Sequence, residues 1–428
     1  MNFINNIVNI SQLKALILNL NFNALRYMFL NFGARVFIAV TQLYAISIFT
    51  KVHDTATTSV LILLFGYIIW FQLFEFGLTQ TIQNKLNRRK IKIKNITIII
   101  LFQYIIALLI GLLALKFDIF SFLLLNNIEH SYSIENKKIF DIGCAILLLS
   151  SNNILIHRFL ILYRKSYLSN LLLFLQSLIT CSSLFFYKMN FNSEQIVSVM
   201  VYFFPQLLVT FPILVKLILR LFYSRKSKNI PTDMISTLKY SSSFMLISFL
   251  SSFLLGLDYL ILSYFSNSKE LLSYHITIRF FYFSFMMYFA YITFAAKKLG
   301  NRSEVYNINK IKNYSIFIGL TSTILVYFLV LTLNSLDVLI MITNGIKIDQ
   351  KILFTAFIYF IIRVFADTRL VIAHNLSYRI NLIKLYSVQI LTSLIFMPFL
   401  CYYLGGVGVL LSLSLSYLLG LIIKLETK

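Results

Sequence analysis

Residues 58–95 read TSVLILLFGYIIWFQLFEFGLTQTIQNKLNRRKIKIKN, and this stretch decides the class of the protein. From Thr58 to Gln83 every residue is apolar or uncharged except one acid, Glu75. With a rise of about 1.5 Å per residue, such a run is long enough as a helix to cross a hydrocarbon core about 30 Å thick. Immediately after it come Lys85, Arg88, Arg89, Lys90, Lys92 and Lys94, with no acid among them. A cluster that basic beside a span stays on the cytoplasmic side, because moving it across against the membrane potential is unfavourable. The expectation is an integral membrane protein with residues 85–94 facing the cytoplasm and Glu75 held inside the membrane.

Composition supports the same class. The 428 residues are 59% hydrophobic and 12% charged, and the mean hydropathy is +0.82. A water-soluble domain built from this mixture would carry one continuous apolar surface, which excludes it. A net charge of +23 could point to nucleic acid. In a membrane protein it follows instead from basic cytoplasmic loops, so no nucleic-acid partner is expected. Cys144, Cys181 and Cys401 lie inside apolar runs with no metal-binding spacing, so neither a disulfide framework nor a metal site is indicated. The opening MNFINNIVNISQLKALILNLNF lacks a basic start and a small-residue cleavage site, and reads as an interfacial helix rather than a leader.

Working outward, apolar runs of spanning length lie near 28–50, 58–82, 96–115, 139–157, 167–187 and 196–219, and then near 241–263, 273–296, 314–334, 352–373, 384–404 and 407–423. With both termini inside, the segments assigned to the cytoplasm hold 25 basic residues and those assigned outside hold 8. Acids run the other way, 3 inside against 8 outside. The reading is an all-α integral membrane protein of twelve transmembrane helices. A cytoplasmic or interfacial segment (1–27) precedes a six-helix lobe (28–219), a cytoplasmic linker (220–240) carrying Pro231, a second six-helix lobe (241–423) and a cytoplasmic tail (424–428). Six is even, so both lobes enter the membrane from the same side, with a cleft between them.

Ionisable side chains near a span centre are costly and point to function or to fixed pairs. The deep ones are Arg35, Glu75, Asp258, Arg279, Arg363 and Asp367, with Arg369 nearer an end. Lys216, Asp141 and His157 lie within a turn or two of a boundary and read as structural. Counting residues from the span ends puts Arg35 level with Glu75 in the cytoplasmic half and Asp258 level with Arg279 in the outer half, so each couple can pair. Arg363 and Asp367 are one turn apart on one helix face and can pair within it. Each couple is either a salt bridge locking helices together or part of a site. Arginine favours an anion to be gripped, because its planar fork takes phosphate oxygens in pairs. Arg35, Arg279 and Arg363 are therefore candidate substrate-binding residues, and Glu75, Asp258 and Asp367 candidates for charge pairing or ion coupling.

Several of these residues lie in motifs that resemble the Wzx-type O-antigen and polysaccharide flippases of the multidrug/oligosaccharidyl-lipid/polysaccharide (MOP) exporter superfamily. The first carrier is NFGARVFIAVTQLYAISIFTKV in span 1. In span 2, Phe74-Glu75-Phe76-Gly77-Leu78 with Asn84-Lys85 matches a family pattern in which Asp is commoner than Glu. Leu257-Asp258-Tyr259-Leu260-Ile261-Leu262, the following Ser273-Tyr274-His275 and the turn Gly405-Gly406-Val407-Gly408 are similar to second-half family features. The resemblance implies two six-helix lobes around a central cavity, alternating access, and an undecaprenyl-pyrophosphate-linked oligosaccharide as cargo. It also implies a bacterial inner-membrane location, no enzymatic activity, membrane lipids as surroundings and a polysaccharide polymerase as neighbour. No cofactor is implied, and coupling to a proton or sodium gradient stays open. A cation-coupled drug exporter of the same superfamily and a membrane-embedded polymerase are the rival readings. No Walker motif supports ATP hydrolysis.

The topology is directly testable. Reporters fused after Arg89, Lys226 and Arg302 should signal cytoplasm, and those after Asn127 and Asn267 the outside. An external signal at Lys226 would overturn the two-lobe arrangement.

Overall fold

Inside hydrocarbon a backbone amide finds no water, so a spanning chain satisfies its hydrogen bonds within helices. The computed structural model describes residues 22–71, 75, 77–78, 93–124, 134–162, 166–189, 195–223, 230–299, 308–342, 348–375 and 379–423, and every regular element among them is helical. The first half contains α1 (Phe22–Val52), α2 (Thr55–Phe71), α3 (Ile93–Lys116), α4 (Ile119–Leu124), α5 (Ile134–Ser151), α6 (Asn153–Leu162), α7 (Ser166–Met189) and α8 (Gln195–Tyr223). The second contains α9 (Ile230–Phe265), α10 (Ser268–Leu299), α11 (Ile308–Ser335), α12 (Val338–Ile342), α13 (Gln350–Asn375) and α14 (Arg379–Ile422).

Eight stretches within these helices are apolar and long enough to cross a membrane, and the last, Asn381–Ile422, is long enough to cross twice. Three further helices complete twelve passages: α2, with 17 residues, and α10 and α13, whose apolar runs are interrupted by the polar and charged residues described below. Several boundaries differ from the sequence reading. The fourth span is broken at Asn152, between α5 and α6. The final two spans form one kinked helix: Gly405 takes φ 55° and ψ −133°, a left-handed conformation open mainly to glycine. The Gly406 amide beyond the kink donates to Glu270 Oε1 at 2.7 Å. At the far end Arg369 donates to the Leu421 and Ile423 carbonyls, which lack helical partners there. The expected 220–240 linker is largely helical, since α8 runs to Tyr223 and α9 begins at Ile230. Pro231 stands in the first turn of α9, where its missing N–H costs nothing. The N-terminal interfacial helix and most of the 83–95 basic loop lie outside the described residues.

The helices of each half pack chiefly among themselves, α1 on α7 and α5 on α3 and α8 in the first, α14 on α9 and α13 in the second. The halves meet where α1 and α2 lie against α9 and α10. Two glycines shape that boundary. A Cβ on Gly66 of α2 would stand 2.5 Å from the Tyr259 ring of α9. A Cβ on Gly256 of α9 would stand 1.6 Å from the Trp70 indole nitrogen of α2. Each helix therefore offers bare backbone to an aromatic ring of the other, the small-residue route to close packing where no hydrophobic effect drives helices together.

Gly256→Ala should destabilise the protein by about 1–3 kcal/mol through overpacking. Gly33→Ala, where nothing stands within 4 Å of the new methyl, should be neutral or stabilising. Thermal unfolding of both variants in one detergent checks this, and equal melting would dismiss the glycine seam.

Candidate functional site

Helix α10 starts at Ser268, five residues before the apolar run that marks it in the sequence. That extension alters the depth of Arg279, now 11 residues from the helix start, or about 16 Å along it. Asp258 lies only 7 residues from the end of α9, about 10 Å. The two are not level, and the expected Asp258–Arg279 pair does not form. Asp258 accepts instead from the Tyr274 hydroxyl at 2.7 Å and the Tyr259 amide at 2.8 Å.

Arg279 reaches across the boundary between the lobes. One terminal nitrogen donates to Gln42 Oε1 of α1 at 3.1 Å, and the other donates to the Phe65 carbonyl of α2 at 3.1 Å. Its Nε donates to His275 Nε2, one turn back on α10, at 3.3 Å. Gln42 is 10 residues before the end of α1 and Phe65 is 10 after the start of α2, so both lie about 15 Å from those ends. The agreement of the three depths puts the contact near the middle of the bundle. Behind it, the His275 ring meets the Tyr259 hydroxyl at 2.7 Å and stacks on Phe65 with centroids 5.8 Å apart. Among the described residues, the acceptors holding Arg279 are all neutral.

Arg363 is solvated in a different way. The expected intrahelical pair is present, Nε to Asp367 Oδ2 at 3.0 Å. One terminal nitrogen also donates to the hydroxyls of Tyr282 and Tyr359 at 3.0 and 3.3 Å. The rings of Tyr282, Phe285, Phe360 and Tyr359 surround the guanidinium at 5.2 to 5.8 Å. Arg363 is only 5% exposed, enclosed within the second lobe. Tyr282, one turn beyond Arg279 on α10, links that helix to Arg363. Arg35 and Glu75 are both half-buried, and each has partners in the structure.

Residues outside the candidate set also contribute. Gln42 and His275 are uncharged, and no depth count singles them out. The available signal was the spacing of His275 and Arg279, four apart and so on one face of α10. Asp141 accepts from the Ser121 amide of α4 at 2.9 Å and His157 contacts Ser169 at 3.1 Å, each in keeping with a structural role. An apolar groove of about 900 Å³ runs between α3 and α8, and holds none of the candidate residues.

No protein-family model matches the chain. It is 23% identical over 401 residues to a Salmonella typhimurium protein described as a "Putative O-antigen transporter", covering 90% of this chain and 91% of that one. Solved structures share the fold. The lipid II flippase MurJ in an inward closed conformation superposes with a TM-score of 0.69 at 15% identity, over 92% of this chain and 86% of that one. An inward-facing multidrug resistance MATE family transporter of the MOP superfamily superposes with a TM-score of 0.66 at 12% identity, over 91% and 96%. The similarity to the MOP transporters thus extends through nearly the whole chain, and the fold is the all-α membrane transporter fold of that superfamily.

Replacing Arg363 by Met would strand Asp367 among apolar side chains. Breaking a buried pair in this way costs about 3–5 kcal/mol, so the level of protein in the membrane should fall. Arg363→Met combined with Asp367→Leu removes both charges and should recover much of that loss. Melting of the purified variants tests this, and a double variant no more stable than the single one would refute the pairing account.

Proposed function

We propose that the protein is a flippase that carries a polyprenyl-diphosphate-linked oligosaccharide repeat unit, of the kind used for O-antigen or capsule, across the bacterial inner membrane by alternating access. The observation that carries this reading is Arg279, a guanidinium near mid-membrane held, among the described residues, by neutral acceptors from both lobes. A diphosphate offers anionic oxygens to the same fork, adding the attraction of opposite charges, which is strong where water is excluded, to the hydrogen bonds that neutral acceptors also provide. Such a ligand would take Arg279 from Gln42 and the Phe65 carbonyl, linking its recognition to release of a contact between lobes. The described O-antigen transporter and the lipid II flippase are consistent with this class of cargo.

In this reading the termini are cytoplasmic, and the first two helices of each half frame the route. Arg35, paired with Glu75 when no cargo is bound, meets the diphosphate at entry, and Arg279 meets it at mid-depth. Arg363 acts through its charge rather than by contact, since it is enclosed by rings and already paired. The polyprenyl tail stays in lipid, and the sugars pass on to a polymerase outside.

Surface polysaccharide in cells carrying variants at matched membrane levels provides the test. Losing charged hydrogen bonds worth about 1.5–3 kcal/mol should cut export roughly tenfold or more in Arg279→Ala. Arg279→Lys keeps the charge but loses the fork, and should retain part of the activity. Wild-type polysaccharide from an Arg35→Ala, Arg279→Ala double variant would overturn the reading.

A further inference from the structure

The neighbours of His275 determine which of its nitrogens carries the proton. An arginine remains protonated at any physiological pH and can only donate. Arg279 Nε–H therefore donates to His275 Nε2, which must bear a lone pair. The ring proton is on Nδ1 and is donated to the Tyr259 hydroxyl oxygen at 2.7 Å. Both nitrogens are thus committed, and the neutral ring is the only form that suits this arrangement. The ring is fully buried, with its face on Phe65 of the other lobe. It lies at the boundary between the lobes.

The groups around it are few. On α10 they are Arg279, Tyr274 and, one turn further, Tyr282. On α9 they are Tyr259 and Asp258, whose carboxylate is turned to the Tyr274 hydroxyl and the Tyr259 amide. Tyr359 of α13 is close enough to act on Tyr274 electrostatically. From the other lobe come uncharged Gln42 and Phe65, and Tyr202 of α8, which hydrogen-bonds Gln42. Among these, Arg279 is the charge that bears on the ring.

We propose that His275 is the site of a coupling proton, and that taking up this proton releases Arg279 from the lobe boundary. One proton from the aqueous phase reached by the parted lobes adds to the Nε2 lone pair. No other covalent bond forms or breaks. The acceptor of the Arg279 Nε–H is then gone, and two cations face each other one helical turn apart. The closed arrangement is disfavoured. With the lobes apart, water reaches the imidazolium and the guanidinium is free for an anion. Falling pH therefore shifts the population towards parted lobes, and loss of the proton lets Arg279 return to Gln42 and the Phe65 carbonyl. The inference rests on the flippase reading only for what Arg279 binds next; the proton step needs no cargo.

The test measures the distance between lobes in vesicles free of lipid-linked sugar. Spin labels go on exposed positions at each end of the bundle, Lys188 with Leu336 and, separately, Lys216 with Lys312, in a chain with its three cysteines replaced. From about pH 8 to about pH 5, the range in which histidine changes charge, a longer distance should gain population at one end. His275→Gln offers Arg279 a neutral acceptor that cannot titrate, so its distances should not move. Unchanged distances in the parent chain, or the same response in His275→Gln, would overturn the proposal. A second readout needs no change at His275: ¹⁵N-histidine spectra of a chain whose other four histidines are glutamine. The Nδ1–H tautomer at high pH, giving way to the doubly protonated ring at low pH, supports the proposal. An Nε2–H tautomer, or no titration, refutes it. These outcomes are separate from those of the Arg279 export test, so failure of one reading leaves the other measurable.

Discussion

A guanidinium in the middle of a hydrocarbon layer must be solvated by the protein that carries it, because charge at that depth is expensive. This protein meets the constraint in two ways. Arg363 is solvated within one lobe, by an acid, two hydroxyls and four aromatic faces. Arg279 depends on acceptors from both lobes. The first arrangement can persist through any rigid-body movement of the halves. The second would be broken by such a movement, which ties the solvation of Arg279 to the relative position of the lobes.

The rest of the boundary is built differently. Where α2 meets α9 the surfaces are rings on bare glycine backbone, Tyr259 on Gly66 and Trp70 on Gly256. Contacts of that kind are close but not directional, and can roll without first breaking strong bonds. The directional contacts are concentrated on the α10 side, at Arg279. Within the second lobe, by contrast, Glu270 on the Gly406 amide and Arg369 on the last carbonyls fasten the helix ends, so that lobe can move as a unit.

Much of this was legible in the sequence, and the failures have physical causes. Spans follow from apolar length, and the Arg363–Asp367 pair from a spacing of four on a helix, a local rule independent of tertiary packing. The turn at Gly405 was visible as a glycine cluster. The Asp258–Arg279 pairing failed because hydropathy marks where a helix leaves hydrocarbon, not where it ends. The polar start Ser268-Lys269-Glu270 is helical, and it carries Arg279 deeper than the apolar run suggests. The extended start of α9 was hidden in the same way. Gln42 and His275 were overlooked because neutral polar residues leave little mark on charge or hydropathy. Gly66 and Gly256 sit in ordinary apolar runs, and their importance lies in a neighbour supplied by the other half of the chain.

Tyr259 belongs to both systems at once. The base of its ring rests on Gly66, and its hydroxyl meets His275 Nδ1 at 2.7 Å. Any rolling of α2 over α9 must swing the far end of that ring, lengthening or bending the bond to the imidazole. The side chain therefore works as a transducer, converting an angle between two bodies into the strength of a single hydrogen bond. A change in lobe geometry would thereby be felt in the hydrogen bonding of His275, and a change at His275 in the contact between the lobes.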